Sequence, residues 1–298
     1  MSSITCAQAL AAAHGSGLER LDAQLLLLHA LGKPASARSW LLAHDTDELA
    51  QEVVDIFHAL SLRRTAGEPL AYIVRSKEFF GLALQVDARV LVPRPDTETL
   101  VEWSLDLLKA PNVSPALQVL DLGTGSGAIA LAIAHSLKVA GRDVAVTAVD
   151  ASAAALNVAR ENARRLGLVV EFVESNWLAQ VGGRFHLIAS NPPYIASADP
   201  HLAALTHEPL QALAAGKDGL DDIQKIIAQA PGHMLSGGWL LLEHGYDQAG
   251  RVRELLVQQG FVQVQSRLDL AGIERCSGGQ WMHCLAIPAP HAASNRQP

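Results

Sequence analysis

The chain has 298 residues, of which 49% are hydrophobic and 18% are charged, and this balance excludes a mainly disordered protein. The 23 basic and 30 acidic side chains give a formal net charge of -7, so bulk electrostatic binding to nucleic acid is not expected as the main function. A chain of this length predicts one or two domains.

The cysteines Cys6, Cys276 and Cys284 are far apart or off any ligand spacing, so neither a disulfide framework nor a zinc site is predicted. The 12 histidines form no ligand motif, and we expect no metal site. Apolar runs are too short for a membrane span, and the N-terminus lacks the basic start of a signal peptide. These features predict a cytoplasmic protein with reduced thiols and no membrane contact.

Residues 1–75 predict a small helical domain. One apolar stripe at helical spacing follows Asp47, the predicted N-cap, and consists of Leu49, Val53, Ile56, Phe57 and Leu60. An earlier stripe consists of Leu18, Leu21, Leu25 and Leu28. Gly32 and Pro34 are expected to end the helix that carries this earlier stripe.

Residues 76–98 predict a connector. Alternating apolar residues around Phe80-Gly81 indicate a short β-hairpin, and the prolines at 93 and 95 indicate an extended segment. A helix is predicted near 99–108. It opens the second domain, which we expect to span 99–288, with a flexible tail at 289–298.

From residue 117 the sequence alternates strands and helices, which predicts an α/β domain with a seven-stranded, mostly parallel, doubly wound Rossmann-like sheet. The predicted strands are 118–122, 144–149, 169–174, 185–190, 239–243, 262–268 and 281–287. The predicted helices are 128–139, 153–166, 221–234 and 247–259. The last two strands should pair antiparallel at one edge, with Gly278-Gly279-Gln280 in the turn between them.

A glycine-rich loop joins the first predicted strand of this sheet to the helix that follows. It reads Gly123-Thr124-Gly125-Ser126-Gly127, and a helix N-terminus after such a loop presents free N–H groups to a polar ligand. Asp150 ends the next strand, about 20 residues further on, where a carboxylate can accept both hydroxyls of a ribose. Loop and acid together predict an adenosine-containing cofactor. A nicotinamide-dependent dehydrogenase and a purely structural turn are the alternatives at this point.

Asn191-Pro192-Pro193-Tyr194 follows the fourth strand, at the sheet edge where ligands bind in such folds. The prolines remove two backbone donors, so the Asn191 side-chain oxygen and backbone carbonyls form a rim of acceptors. A planar NH₂ group fits this rim, and Tyr194 offers it a flat face. Acceptors that hold both hydrogens orient the nitrogen lone pair towards an electrophilic methyl group, so alignment and electrostatics would supply most of the rate.

These motifs, in this order, resemble class I S-adenosylmethionine-dependent N-methyltransferases. The wider chain, over roughly residues 5–287, resembles the protein-(glutamine-N5) methyltransferases of peptide chain release factors, the HemK/PrmC family. The segments that carry the resemblance are 68–73, 90–98, 121–130, 191–195 and 240–245, of which P-R-P-D-T-E at 93–98 is specific to this family.

The resemblance implies a role for each matched residue. The five loop residues 123–127 would cradle the methionine part of S-adenosylmethionine, Asp150 would hold the ribose, and Trp177 would flank the adenine. Asn191 would lie between cofactor and substrate as a catalytic residue together with Pro192 and Tyr194, and Pro193 would complete the substrate pocket. The implied product is S-adenosylhomocysteine. The implied partner is a release factor whose Gly-Gly-Gln glutamine is methylated, with the helical domain recognising that substrate.

Some residues depart from the family pattern or have no assigned role. Asn176 stands where such enzymes more often carry Asp, and residues 205–209 lack the usual arginine and aromatic residue. Arg94, Asp96 and Glu98 either bind substrate or pin the connector. Glu243 has no assigned role, and His244 is interpreted as structural.

Two other functions fit part of the sequence. A nucleic-acid amino-methyltransferase, of the adenine N6 type, would share the pocket but would need a cationic face and room for a flipped base. A cofactor-binding regulator without catalysis fits the glycine loop but leaves the acceptor rim unexplained.

Overall fold

The chain begins with helices that share one apolar core. The computed structural model describes residues 4–110, 114 and 116–283. The first helices are α1 Cys6–Gly15, α2 Arg20–Ala30, α3 Arg38–Ala43, α4 Gln51–Thr65 and α5 Leu70–Ile73. Their core includes Cys6, Leu26, Leu27, Leu28, Leu41, Phe57 and Ile73. The predicted N-terminal helical bundle is therefore confirmed.

The start of α4 differs from the prediction. The helix begins at Gln51, and Asp47 is not its N-cap. The carbonyl oxygen of Asp47 accepts a hydrogen bond from the Cys6 N–H at 3.0 Å, and the Leu49 N–H donates to the Ile4 oxygen at 2.9 Å. Backbone pairing between two segments distant in sequence therefore overrides the local capping signal.

The apolar stripe predicted around α2 is confirmed at Leu18 and Leu28, which lie in the helical core, and is wrong at Leu21. Leu21 is 47% exposed, and Leu18 lies before the helix begins. The buried face of α2 consists of Ala23, Leu26, Leu27 and Leu28. Because residues 25–28 are all leucine, helical periodicity fits more than one phase, and tertiary packing decides between them.

The predicted hairpin in the connector is confirmed as strands β1 Lys77–Phe79 and β2 Leu82–Leu84, which pair antiparallel. Phe80 and Gly81 have φ angles of 50° and 77°, the left-handed pair that a two-residue hairpin turn requires. The carboxylate of Glu98 accepts the Phe80 N–H at 3.0 Å, which ties the turn to the next helix.

Among the described residues, the second part of the chain forms a seven-stranded sheet. Its strands are β3 Ala116–Leu122, β4 Asp143–Asp150, β5 Glu171–Glu174, β6 Phe185–Ser190, β7 Met234–Glu243, β8 Val262–Leu268 and β9 Glu274–Trp281. The spatial order is β5-β4-β3-β6-β7-β9-β8, and β9 is antiparallel to both of its neighbours. The predicted mostly parallel sheet with an antiparallel edge is confirmed.

Helices cover both faces of this sheet. They are α6 Glu98–Leu108, α7 Ala128–Val139, α8 Ala153–Leu166, α9 Asp221–Gln229 and α10 Ala249–Gln259. Val119 of β3 lies in one buried cluster with Trp103 of α6 and Leu131 of α7. The next residue, Leu120, points to the opposite face and lies in a cluster with Ile226 of α9. The doubly wound arrangement is therefore confirmed.

The last strand and its turn differ from the prediction. The strand β9 ends at Trp281 instead of beginning there, and residues 284–287 of the predicted strand lie outside the described residues. Gly278-Gly279-Gln280 lies within β9, so the predicted turn there is wrong. The chain turns before β9 instead, where the Asp269 carboxylate accepts the Ile273 N–H at 2.9 Å. Glycines in a strand remove the apolar alternation that sequence patterns depend on.

Packing explains why glycine stands at 278. A Cβ atom there would lie 2.5 Å from Leu241 Cδ2 and 2.6 Å from the Leu240 oxygen. We expect Gly278→Ala to lower the free energy of unfolding by about 3 kcal/mol through overpacking, measured by urea denaturation. The matched control is Gly250→Ala, because Gly250 is exposed on α10 with no atom within 4 Å of the added methyl group. This control should gain about 0.5 kcal/mol, and equal losses in both variants would contradict the packing argument.

The connector is fixed against α8. Asn162 of α8 is 1% exposed, accepts the Gln85 N–H at 2.7 Å and donates to the Gln85 oxygen at 3.0 Å. A small cluster that joins the N-terminal helices to α8 consists of Tyr72, Val86, Val90, Val92, Ala155 and Val158. The connector therefore lies beside the carboxyl ends of the parallel strands.

The helix predicted at 221–234 is shorter in the structure. It ends at Gln229, and a 3₁₀ turn that contains Pro231 follows it.

The domain limits at 75/76 and 98/99 stay predictions, and the predicted tail at 289–298 lies outside the described residues. Within 4–110, 114 and 116–283, no helix has the length and apolar character needed to cross a membrane.

Candidate functional site

A cavity of about 230 Å³ opens at the carboxyl ends of β3, β4 and β6. The strands β3 and β6 are neighbours, but the chain leaves β3 towards β4 and returns to β6, so this is the point where the strand order reverses. Several predicted site residues line the cavity together, namely Gly123, Gly125, Asp150, Trp177, Asn191 and Pro193. The fold therefore brings the two sequence motifs to one place.

The glycine loop turns through backbone angles that other residues avoid. Gly123, Gly125 and Gly127 have φ angles of 71°, 54° and 86°. Gly127 is also the N-cap of α7, where a Cβ atom would lie 2.9 Å from Leu131 Cδ1. The loop therefore brings its backbone to the cavity without side chains in the way.

Thr124 and Ser126 hold the loop rather than line the cavity. Both are buried, with 5% and 2% of their surface exposed. The Thr124 hydroxyl donates to the Asp121 carboxylate at 2.6 Å, and the backbone carbonyl oxygen of Ser126 accepts from the Asn162 side-chain nitrogen at 2.9 Å. Their predicted contact with the cofactor stays a prediction, and in this structure the Thr124 side chain and the Ser126 backbone carbonyl stabilise the turn.

Asp121 is a buried acid that the sequence reasoning did not place in the site. One carboxylate oxygen accepts from Thr124 and from the Ala130 N–H at 3.1 Å, and Oδ1 has no hydrogen-bond partner among the described residues. Burial raises the pKa of Asp121 to about 7, although both donors act in the opposite direction. The residue anchors the loop to the end of β3.

Asp150 lies at the end of β4 with both carboxylate oxygens in use. Oδ2 accepts the Gly125 N–H and Oδ1 accepts the Ser152 N–H, each at 2.9 Å. Burial raises the pKa of Asp150, and the backbone N–H groups partly reverse this. Each carboxylate oxygen can accept a second hydrogen bond, so the group remains able to receive two ribose hydroxyls.

Trp177 forms one wall of the cavity. It is a non-glycine residue with φ of 50°, and its indole N–H donates to Asp222 Oδ1 at 3.2 Å. The ring lies against Gly123, where an added Cβ would be 3.4 Å from its edge. Sequence reasoning missed Asp222, because a carboxylate in the first turn of a helix usually serves the helix itself. Asn176, which departs from the family pattern, also lines the cavity.

The Asn-Pro-Pro-Tyr segment divides between the cavity and the core. The Asn191 side-chain nitrogen donates to the Thr97 hydroxyl at 3.2 Å. Pro192 is buried and is not part of the cavity lining, whereas Pro193 is. Tyr194 packs against the core beside α9 and does not line this cavity. Its predicted contact with the planar NH₂ group of the substrate stays a prediction.

Glu243 ends β7 beneath this segment, and the sequence assigns it no role. Glu243 is 1% exposed. The Tyr194 hydroxyl donates a hydrogen bond to Glu243 Oε1 at 3.4 Å. Burial raises the pKa of Glu243 to about 7, and the hydroxyls of Thr97 and Tyr194 act in the opposite direction. In the sequence, a glutamate at the end of a central β-strand does not by itself indicate a functional role.

The charged residues of the connector bind their own chain. Arg94 forms an ion pair with the buried Glu208, which also accepts the Val92 N–H at 3.1 Å. Asp96 lies 3.5 Å from Arg275. Together with the Glu98 contact to the hairpin turn, these pairs favour the interpretation that the segment is pinned, which the sequence had left open.

His244 is held by two hydrogen bonds, as its structural interpretation requires. Its Nε2 lies 2.7 Å from the Ser277 hydroxyl and its Nδ1 lies 2.9 Å from the Gly245 oxygen. Within the part of the chain that the structure describes, no three His, Cys, Asp or Glu side chains are placed to hold a metal ion.

Two family models match the chain. The model of the PrmC N-terminal domain matches residues 4–74, and the model of the methyltransferase small domain matches residues 104–216. The second match includes the glycine loop, Asp150, Trp177 and the Asn-Pro-Pro-Tyr segment.

Relatives are similar to this chain over nearly their whole length. A release factor glutamine methyltransferase of Bordetella pertussis is 48% identical over 267 residues, which cover 88% of this chain and 95% of the relative. One of Burkholderia pseudomallei is 48% identical over 275 residues, which cover 89% and 93%. A solved 16S rRNA N2 methyltransferase of T. thermophilus, in complex with AdoMet and guanosine, shares the fold alone, at 20% identity and a TM-score of 0.51 over 69% of this chain and 49% of that one. The identity and coverage of the first two relatives place this chain in the family of release factor glutamine methyltransferases.

Proposed function

We propose that the protein transfers a methyl group from S-adenosylmethionine to the side-chain amide nitrogen of the glutamine in the Gly-Gly-Gln motif of peptide chain release factors. The observation that carries the proposal is the meeting of Asn191, the glycine loop and Asp150 in one cavity. Membership of the family supports the choice of a glutamine amide as the acceptor.

The residues present fit S-adenosylmethionine. Gly123 and Gly125 would lie against its methionine part, Asp150 would accept hydrogen bonds from its ribose, and Trp177 would pack beside its adenine. When bound, this cofactor would supply an electrophilic methyl group and leave as S-adenosylhomocysteine, and the methylated amide nitrogen would lose one hydrogen as a proton.

Asn191 would hold the acceptor amide. Its nitrogen is engaged by Thr97, so the side-chain oxygen is the end left to accept a hydrogen from the glutamine NH₂ group. Backbone carbonyls of the proline segment would accept the second hydrogen, which orients the nitrogen lone pair towards the methyl group. Because a carboxamide nitrogen is a weak nucleophile, this alignment is where the chain lowers the barrier.

The partner and the place of action follow from the same proposal. The helical segment 1–75 would recognise the release factor, because the Tyr72 hydroxyl donates to the Val90 oxygen and Val90 lines the cavity, which places these helices beside the site. The buried free thiols of Cys6 and Cys276 fit a reducing compartment such as the cytoplasm.

A transfer assay tests the proposal. The purified protein is incubated with methyl-labelled S-adenosylmethionine and, in separate reactions, a release factor, DNA and ribosomal RNA. We expect label only on the release factor, at the Gly-Gly-Gln glutamine in peptide mapping. A release factor with Asn in place of that glutamine should stay unlabelled. Label on DNA or RNA would replace the proposal by a nucleic-acid methyltransferase, and no label on any acceptor would favour a regulator without catalysis.

A further inference from the structure

The side chain of Gln248, immediately before α10, connects the Asn-Pro-Pro-Tyr segment to two other parts of the chain. Its Nε2 donates hydrogen bonds to the Tyr194 oxygen at 3.0 Å and to the Asp218 oxygen at 3.2 Å, and its Oε1 accepts the Gly245 N–H at 2.8 Å. The partners of the nitrogen are backbone carbonyls, which only accept, and the partner of the oxygen is a backbone N–H, which only donates. These contacts therefore allow one orientation of the Gln248 amide.

The backbone around this contact is closely packed. A Cβ atom at position 219 would lie 2.1 Å from the Tyr194 oxygen and 2.8 Å from Gln248 Nε2. Gly219 also has a φ angle of 76°, in the left-handed region that favours glycine. The Tyr194 carbonyl therefore lies between Gln248 and Gly219, and Tyr194 does not line the cavity.

The Asn-Pro-Pro-Tyr segment is held at its two ends. Before it, the Ser190 hydroxyl donates to the Leu122 oxygen at 2.7 Å, and after it, the Ile195 N–H donates to the Leu213 oxygen at 2.9 Å. The two prolines of the segment have no N–H group that could hold their backbone. The backbone of the segment therefore takes its position from its ends, and Gln248 contacts its last residue.

The segment also lies close to the glycine loop. The backbone oxygen of Asn191 is 3.9 Å from the place that a Cβ atom would take at Gly123. A small shift of the segment therefore changes the distance between an acceptor amide and the methyl group of a cofactor on the loop. A misplacement of about 1 Å can lower a rate about 100-fold.

We propose that Gln248 is a positioning residue for methyl transfer. It holds the Tyr194 carbonyl and thereby fixes the backbone that places the Asn191 carboxamide against the glycine loop. The inference rests on the proposed function. Because Gln248 engages the Tyr194 carbonyl, the backbone carbonyls that remain for the acceptor amide are those of residues 191–193. Gln248 does not line the cavity, so it acts through the segment.

Gln248→Glu tests the donor while the shape of the side chain is kept. An ionised carboxylate can still accept the Gly245 N–H, but it has no hydrogen for the Tyr194 carbonyl. The facing carbonyls favour the protonated form, which can donate to them, so a lower pH should restore the contact. Gln248→Leu removes both donor and acceptor at every pH.

Gln280→Glu is the matched control. The Gln280 side chain is also half-buried, and its Nε2 also donates to a backbone carbonyl, that of Gly237 at 2.9 Å. This contact lies near the start of β7, away from the cavity. The same substitution there removes a donor of the same kind without reaching the Asn-Pro-Pro-Tyr segment.

Each variant is compared with the wild type at the same pH, because the neighbouring titratable groups are common to both. The charged and titratable side chains on the segments around position 248 are Tyr194, Asp218, His244, Tyr246, Asp247 and Arg251. The measurements are kcat and KM with a purified release factor, cofactor affinity by calorimetry, and stability by urea denaturation.

We expect Gln248→Glu to lower kcat about 30-fold relative to the wild type at a pH of about 8.5, with cofactor affinity within about threefold. At a pH of about 6 this loss should shrink to about fivefold. Gln248→Leu should have the full loss at both pH values. Gln280→Glu should keep the wild-type kcat at both.

A folded Gln248→Leu protein with kcat within about threefold of the wild type would overturn the inference, and so would a relative kcat of Gln248→Glu that does not change with pH. If Gln248→Glu does not fold, Gln248→Leu decides alone. If neither variant folds, Gln248 serves stability and the inference is wrong. A wild-type protein that does not methylate the release factor contradicts the proposed function itself, so the two failures are distinguishable.

Discussion

Asn191→Ala is expected to lower kcat for glutamine methylation by about 10³-fold, equivalent to about 4 kcal/mol of transition-state stabilisation. In the proposed function the Asn191 oxygen is the side-chain acceptor, because Asn191 lines the cavity and its nitrogen donates to Thr97. Without it, one hydrogen of the acceptor NH₂ group has no partner, and the nitrogen lone pair is no longer held towards the methyl group. Initial rates with a purified release factor and labelled cofactor measure the effect.

Binding measurements separate this loss from a general defect. Cofactor affinity measured by calorimetry should change by less than about threefold, because the cofactor contacts proposed here depend mainly on the glycine loop and Asp150. The matched control is Asn157→Ala, since Asn157 is exposed on α8 and its side chain accepts a hydrogen bond from Arg160 in its own helix. A kcat within tenfold of wild type for Asn191→Ala would show that the acceptor amide is held by other groups.

The sequence predicts the sheet and the meeting of the two motifs at one cavity, because both depend on local patterns with a fixed place in the fold. The glycine loop must follow a strand and open a helix, and the Asn-Pro-Pro-Tyr segment must end another strand. Once the strand order reverses between β3 and β6, the two segments become neighbours without further information. The cavity lining of Gly123, Asp150 and Asn191 is therefore accessible from the sequence alone.

The parts that sequence reasoning missed depend on contacts between distant segments. Thr97 contacts Asn191 across 94 positions, and the indole of Trp177 contacts Asp222 across 45. Such pairs leave no periodic signal. The prediction of the last strand is wrong for a different reason. There is no space beside Leu241 for a side chain at 278, so glycine is required there, and in the sequence alone this glycine indicates a turn.

Asp150→Ala should weaken S-adenosylmethionine binding by about 100-fold, equivalent to about 2.7 kcal/mol, as measured by calorimetry. Two effects contribute to this loss. The ribose hydroxyls lose a charged acceptor, and the N–H groups of Gly125 and Ser152 lose the carboxylate that holds the loop in place. Hydrogen bonds to charged groups are worth about 1.5–3 kcal/mol each, so the expected loss corresponds to one or two of them.

Asp143→Ala is the control, because Asp143 is exposed at the opposite end of the same strand, away from the cavity. It should bind the cofactor as the wild type does. At saturating cofactor the turnover rate of Asp150→Ala should be within about tenfold of the wild type, whereas that of Asn191→Ala should stay low, because the proposed function assigns Asp150 to cofactor binding and Asn191 to the acceptor amide. If the turnover rate at saturating cofactor is equally low in both variants, this division of roles is contradicted, and Asp150 then also aligns the transferred methyl group.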